Sequence, residues 1–327
     1  MRVTALTSRV FQCFHARQAD TAMSSTAPIS AAFIGLGSMG LGMALSAARA
    51  GISVAGFDIN PASVTTLAAA GGRASASASG AAAGRDIVVA VVVNSAQTRE
   101  VLFGAGAVAR AMKPGSVIIS CATMAPDDAR ALAFEAEALG LLYLDAPMSG
   151  GAIKASSGDL TFMASGSPAA FARARPVLDA VAGKVYELGD EPGIGASFKM
   201  VNQLLAGVHI AAACEAMTFA AKLGLNLRKV YEVITASAGS SWMFENRVPH
   251  ILDADYAPRS AVSIFTKDLG IVSDMGRREK FPMAIASTAL QMFIMTAAAG
   301  MDRDDDASVA RMIAQVTGVK LPDPKGT

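Results

Sequence analysis

"AAFIGLGSMG", residues 31 to 40, is the stretch on which the fold turns. An apolar run ends in Gly35, Gly37 and Gly40, spaced G-x-G-x-x-G, and the residues after it have helical periodicity. The spacing alone recurs by chance in glycine-rich chains; a strand before it and a helix after it give it meaning. In that setting Gly35 permits a tight turn, Gly37 lets the backbone approach a pyrophosphate, and Gly40 lets helix and strand pack closely. Gly35, Leu36, Gly37, Ser38, Met39 and Gly40 therefore form a candidate dinucleotide-binding turn. The helix expected from about Ser38 to Ala50 would face its first amides to the phosphates.

Working outward, "ISVAGFD" reads as a second strand that closes on Asp58, 18 positions after Gly40. A carboxylate there can accept both ribose hydroxyls and would repel a 2′-phosphate, and the following "INP" holds no arginine. The reading is NAD over NADP. "DIVVAVVV", "SVIIS", "LLYLDAP", "LTFMAS" and "KVYELG" follow as apolar strands, with helical segments such as "PASVTTLAAAG", "DDARALAFEAEALG" and "PAAFARARPVLDAVAG" between them. Strands alternating with helices predict a mostly parallel sheet covered on both faces. After "ELGDEPGIG" strand signals largely stop, and helices are expected over 195–223, 227–238, 242–252, 261–279, 282–300 and 306–317. The fold class is α/β, a Rossmann-type doubly wound sheet over 31–192 followed by an all-α domain over 193–321. Residues 322–327 are a tail.

The first thirty residues stand apart, with three arginines, no lysine and a single acid at Asp20. They resemble a weak transit peptide or an upstream start ahead of Met23, and are read as an N-terminal extension. Composition narrows the partners: 28 basic against 27 acidic residues give a net charge of +1 and no polybasic block. Neither nucleic acid nor an anionic membrane is an expected partner. The uncharged stretch 281–301 is long enough to span a bilayer, but Pro282, Ser287, Thr288, Gln291 and Thr296 dilute it, so a buried core helix is expected. Cys13, Cys121 and Cys214 are scattered and odd in number, without metal-ligand spacing. Reduced thiols in the cytoplasm are the natural reading.

The chemistry-bearing residues begin with "GIGASFKMVNQLLAGVHIAAAC", 193 to 214, where Lys199 is the only permanent charge between Glu191 and Glu215. A buried ammonium costs several kcal/mol unless satisfied; a lysine can also snorkel its amine to water. Here it sits on the first helix after the nucleotide-binding half, where interdomain clefts form. Asn202 at i+3 and Gln203 at i+4 share its face. Partial desolvation would lower its pKa and ease proton exchange with an alcohol. Ser149, Gly150 and Gly151, at another strand's carboxyl end, offer a hydroxyl and close-set amides that can hold a carboxylate. Asn94 and Thr123 end strands too and are candidate cofactor neighbours. Of the histidines beyond the extension, neither His209 nor His250 has a recognisable carboxylate partner, and His209 reads as a core or interface residue.

Four blocks in order, "GLGSMG", "DAPMSGG", "GIGASFKMVNQ" and "KDLGIV", make the chain resemble the β-hydroxyacid dehydrogenase family from about Ala31 to Leu321. The resemblance implies a Rossmann domain plus a helical domain, assembled as a homodimer or homotetramer, with NAD and a small hydroxy acid as ligands. It implies Lys199 as general acid/base, Ser149 to Gly151 on the substrate carboxylate, and Asn202 supporting the lysine. Lys267 would approach the nicotinamide end with Asp268 beside it; as lone residues they would pass as a surface pair. Where many members read K-x-x-N-N this chain reads "KMVNQ", which leaves open whether Asn202 or Gln203 faces substrate. "NQLLAGVHIAAACEAMTFAAKLG" and "SAGSSWMFENRVPHILDADYAPRSAV" are similar to the branch acting on L-threonate. That implies oxidation of the C2 hydroxyl of a four-carbon sugar acid, with Ser240, Ser241, Asn246 and Arg247 as further polar contacts or, for the serines, as surface caps. Tartronate semialdehyde and 3-hydroxyisobutyrate are alternative substrates on the same fold. A catalytically silent dinucleotide-binding protein is the alternative of another class, and the presence of Lys199 counts against it.

Overall fold

The computed structural model describes residues 29–323. The expected N-terminal extension up to residue 28 and the last four residues of the tail lie outside them. Strands β1 (Ser30–Ile34), β2 (Ser53–Phe57), β3 (Arg73–Ala74), β4 (Ile87–Ala90), β5 (Val117–Ser120) and β6 (Leu142–Asp145) form one six-stranded sheet. Every neighbouring pair is parallel, in the order β3-β2-β1-β4-β5-β6. Between them run α1 (Gly40–Arg49), α2 (Pro61–Ala69), α3 (Ala78–Ala82), α4 (Ser95–Leu102), α5 (Val108–Ala111) and α6 (Pro126–Glu137).

Both faces of the sheet are covered. Phe33, Val89 and Ile119 pack on one side with Met43 and Ala47 of α1. Ile34, Val88 and Ile118 pack on the other with Leu132 and Ala136 of α6. That two-sided burial is why these strands read as unbroken apolar runs rather than alternating patterns. The strand order reverses between β1 and β4, which opens a crevice at their carboxyl ends.

Beyond β6 the chain builds a second sheet. It comprises β7 (Met148–Ser149), α7 (Gly151–Ser157), β8 (Leu160–Ala164), α8 (Pro168–Val181) and β9 (Ala182–Glu187). β7 pairs antiparallel with β8, and β8 parallel with β9. A lone bridge between Asp145 and Ser165 joins it to the large sheet. "LTFMAS" and "KVYELG" are thus strands as expected, but not of the main sheet. Periodicity reports that a segment is extended and buried; it does not name its neighbour.

The helical half contains α9 (Ile194–Lys222), α10 (Leu227–Thr235), α11 (Trp242–Leu252), α12 (Val262–Arg278), α13 (Ala284–Thr296) and α14 (Val309–Thr317). α9, 29 residues long, is the spine, and its Ile210, Cys214 and Met217 share a core with Val248, Leu269 and Phe293. By length and composition alone, Ile194–Lys222 and Ala284–Met301 could each cross a membrane. The core helix expected near residue 290 is α13, and it puts one face inside. Ala289 and Phe293 are buried, whereas Ile285 is 70% and Met295 48% exposed.

A buried ion pair and a buried hydrogen bond fasten α11 to the segment that leads into α14. Arg247 donates to both carboxylate oxygens of Asp306, at 2.6 and 3.1 Å. His250 Nδ1 lies 2.8 Å from Asp305 Oδ1. His250 therefore does have a carboxylate partner, 55 residues away, which no local spacing could reveal. Burial pushes the Asp306 carboxyl up to about 6, opposed by the charge of Arg247. Removing one member of such a pair strands a buried charge. Arg247→Met is therefore expected to destabilise the fold by about 3–5 kcal/mol, read from urea unfolding. Adding Asp306→Asn to that variant should restore much of the loss; a neutral single substitution would contradict the pairing.

Candidate active site

The glycine turn shows three different constraints. Gly35 leaves β1 with φ of +92°, a conformation that strains any residue with a Cβ. A Cβ on Gly35 would stand 2.2 Å from the Val91 carbonyl oxygen, and one on Gly40 only 1.9 Å from that of Gly35. At Gly37 nothing lies within 4 Å. Two glycines are thus required by protein backbone, and the middle one leaves space for an approaching ligand. Asp58, the residue after β2, accepts from Leu36 N at 2.6 Å and Asn60 N at 2.7 Å, so one carboxylate ties the turn to the neighbouring strand end. Open backbone at Gly37 and a carboxylate at the end of β2 fit a dinucleotide. Asn94, past the end of β4, accepts from Gln97 N at 2.8 Å and caps α4, a structural duty that explains it locally.

Lys199 lies on the second turn of α9 and is 7% exposed. Its Nζ donates to the Met148 carbonyl at 2.7 Å, immediately before Ser149. Burial is the largest influence on the amine and lowers its pKa to about 8; the Asp268 charge opposes that and Lys267 reinforces it. The first turn of α9 is seated on Asp145, whose Oδ2 accepts from Gly193 N at 2.9 Å and Ala196 N at 2.8 Å. Gly150, with φ of +137°, is the bend between β7 and α7, and a Cβ there would lie 2.8 Å from Cδ of Lys154.

A polar chain crosses from the sheet to this helix. Lys267 donates to the Thr123 carbonyl at 3.3 Å and pairs with Asp268. Asp268 accepts from Gln203, and Gln203 accepts from Asn202 at 2.9 Å. Burial separates the two amides: Gln203 is inside and bound to Asp268, while Asn202 lines the cleft. That cleft, about 310 Å³, is walled by Ser149, Gly150, Thr161, Asn202, His209 and Trp242, among others. A larger depression of about 550 Å³ opens beside Asn226, Arg228, Asp253 and Pro322. Its walls hold none of the candidate residues, so chemistry rather than size selects the smaller one.

Not every expected contributor joins this cleft. Ser241 caps α11 through Phe244 N at 3.0 Å, and Ser240 donates to Glu245 at 2.9 Å. Asn246 accepts from Arg247, and Arg247 belongs to the buried pair with Asp306. Sequence reasoning missed Asp145, Thr161 and Trp242; His209, read as a core or interface residue, is half-buried and lines the cleft. Asp145 alone had a local signal, since it ends a strand as Asp58 does.

The buried amine also has a stability signature. Its folded pKa of about 8 lies below the unfolded 10.5, so the contribution to stability is present above the unfolded value and lost as pH falls through 8. A lowering of that size corresponds to about 3 kcal/mol. Lys199→Met should therefore raise the melting temperature at pH 7, and the gain should fade as pH approaches 10.5. A variant less stable than the parent at both pH values would contradict the buried-charge account.

Comparison with known proteins agrees with this geometry. Residues 30–189 match the model for the NAD-binding domain of 6-phosphogluconate dehydrogenase, and residues 193–313 the NAD-binding model of NADP-dependent 3-hydroxyisobutyrate dehydrogenase. The chain is 48% identical to L-threonate dehydrogenase of Escherichia coli K12 over 293 residues, covering 89% of this chain and 96% of that protein. It is 50% identical to L-threonate dehydrogenase of Cupriavidus necator over 289 residues, covering 88% and 96%. A crystal structure described as 3-hydroxyisobutyrate dehydrogenase from Salmonella typhimurium superposes with a TM-score of 0.84 at 51% identity, covering 87% of this chain and 99% of that one. With both halves matched in order along nearly the whole described chain, the protein belongs to the β-hydroxyacid dehydrogenase family and is an NAD-dependent oxidoreductase acting on a CH–OH group.

Proposed function

We propose that this enzyme oxidises L-threonate at C2 to the 2-oxo acid, with NAD as acceptor and Lys199 as general base. The observation that carries the reading is the desolvated amine of Lys199, bonded to the carbonyl immediately before Ser149, while Ser149 and Gly150 themselves line the cleft. The Ser149 hydroxyl and the amides of Gly150 and Gly151 bind the substrate carboxylate through charge-assisted hydrogen bonds. Asn202, one turn from Lys199, orients the reacting hydroxyl. Lys199 Nζ takes the hydroxyl proton, and its lowered pKa keeps neutral amine available near pH 8. When bound, the nicotinamide supplies the acceptor for the C2 hydride, so that one alcohol and NAD⁺ give one ketone, NADH and a proton. In the reverse direction the same amine, protonated, donates.

The cofactor is held by the turn from Gly35 through Leu36, Gly37, Ser38 and Met39 to Gly40, with Asp58 on the adenosine ribose favouring NAD over NADP. Asn94 and Thr123 flank it, and Lys267 stands at its nicotinamide end. Asp268 holds Lys267 and Gln203 in place. The domain limits follow the same division, a NAD-binding unit over 31–192 and a substrate and assembly unit over 193–321. Exposed Phe198 and Val201 of α9 and Ile285 and Met295 of α13 support a homodimer or homotetramer. Buried, unpaired Cys121 and Cys214 support the cytoplasm as its compartment. A second reading, 3-hydroxyisobutyrate as substrate, draws on the description of the Salmonella structure.

The test is NADH formation with L-threonate, D-threonate, D-glycerate and 3-hydroxyisobutyrate, each with NAD and NADP. L-Threonate with NAD should give the highest kcat/KM. Preference for 3-hydroxyisobutyrate, or no turnover of any acid by protein that binds NADH, would reject the substrate assignment. Lys199→Ala should lower kcat by about 10²- to 10⁴-fold without weakening NADH binding; a fully active variant would reject the base.

A further inference from the structure

The segment from Asp145 to Met148 touches α9 twice. At its start, Asp145 Oδ2 receives the amides of Gly193 and Ala196, and Ser165 Oγ, paired across the bridge, receives that of Gly195 at 2.9 Å. At its end, the Met148 carbonyl receives Lys199 Nζ. Asp145 is 1% exposed and Ser165 fully buried, so water does not stand in for either at these amides. The helix end has no room to slide: a Cβ on Gly195 would lie 2.3 Å from the Met163 oxygen and 2.9 Å from that of Asp145. Lys199 is three residues past Ala196, less than one helical turn, so a shift of the first turn passes directly to the lysine.

We propose that Asp145 is a positioning residue for Lys199: by capping α9 from the same loop that receives the amine, it sets where the acid/base stands over the Ser149–Gly151 turn. This rests on the reading of Lys199 as the general base. Burial pushes the Asp145 carboxyl up to about 6, and the amides of Ala196 and Gly193 pull it back, so it is charged at the pH where the base works. The titratable groups that face it are Arg130 of α6, Tyr143 on its own strand and Cys121 beyond β5. Those that face Lys199 are Asp268 and Lys267 of α12. Because one oxygen takes both amides, the cap requires an acceptor at that place more than a charge.

The experiment compares kcat, KM, NADH affinity and the pH dependence of kcat for the parent, Asp145→Ala, Asp145→Asn and Ser165→Ala. Asp145→Ala should lower kcat by about tenfold to a hundredfold while NADH affinity holds. The acid limb of its kcat profile should move above the parental midpoint as the amine leaves its enclosed seat. Asp145→Asn, which keeps an acceptor oxygen, should recover most of the loss, and Ser165→Ala should move in the same direction as Asp145→Ala by less. If Asp145→Ala does not fold, Ser165→Ala carries the test. A folded variant of that pair with parental kcat and an unmoved limb overturns the proposal, as does an Asp145→Asn enzyme no better than Asp145→Ala. Lys199→Ala run alongside separates the two claims, since parental turnover there rejects the base itself rather than its positioning by Asp145.

Discussion

The carboxylate of Asp145 lies where the two halves of the molecule meet. It ends the last strand of the large sheet and receives the first amides of the 29-residue helix around which the second half packs. A buried carboxylate is unfavourable alone, and an uncapped buried helix end is too. Each meets the other's unsatisfied need, so neither can be moved independently. The rest of the site inherits that constraint: the small sheet attaches through the Asp145–Ser165 bridge, and the turn at Gly150 follows within the same short segment.

Lys199 is the complementary case of a charge kept in an unfavourable place. Its amine finds one carbonyl at 2.7 Å and, among the described residues, no carboxylate directly bonded to it. Asp268, which could have neutralised it, is engaged by Lys267 and Gln203 instead. The amine is therefore left weakly held as an ammonium, a condition suited to exchanging a proton with an alcohol. Arg247 and Asp306 show the opposite arrangement in the same protein. There two buried charges meet through two hydrogen bonds, and the result is a fastening rather than a reactive group.

Features governed by local rules were legible from the amino-acid order. Glycine spacing, the acid after β2 and the apolar runs each act over a few residues, and they located the glycine turn after β1 and most of the elements. The helix bearing Lys199 was expected at 195–223 and spans Ile194–Lys222. Features that depend on distant partners were not legible. Asp145 meets its amides 48 and 51 residues later, and His250 meets Asp305 at a comparable separation. Among the polar residues near Ser240 the serines find local partners, in line with the surface-cap alternative, whereas Arg247 meets Asp306 59 residues later. The exposed face of α13 was not legible because alanine and methionine suit core and surface alike. Family resemblance, not residue-by-residue reading, pointed to Lys267 and Asp268, whose importance lies in a chain of contacts reaching Thr123 and Gln203.

Proton transfer by Lys199 requires an amine whose proton is loosely held, and that property can be observed without any substrate. Protein labelled with ¹³C at the lysine ε-carbon, followed by NMR across pH, resolves the titration of its lysines. One resonance should titrate near pH 8 and be absent from the Lys199→Met spectrum. If every lysine signal instead titrates at or above the ordinary value of 10.5, Lys199 is a solvated surface cation and the central claim fails.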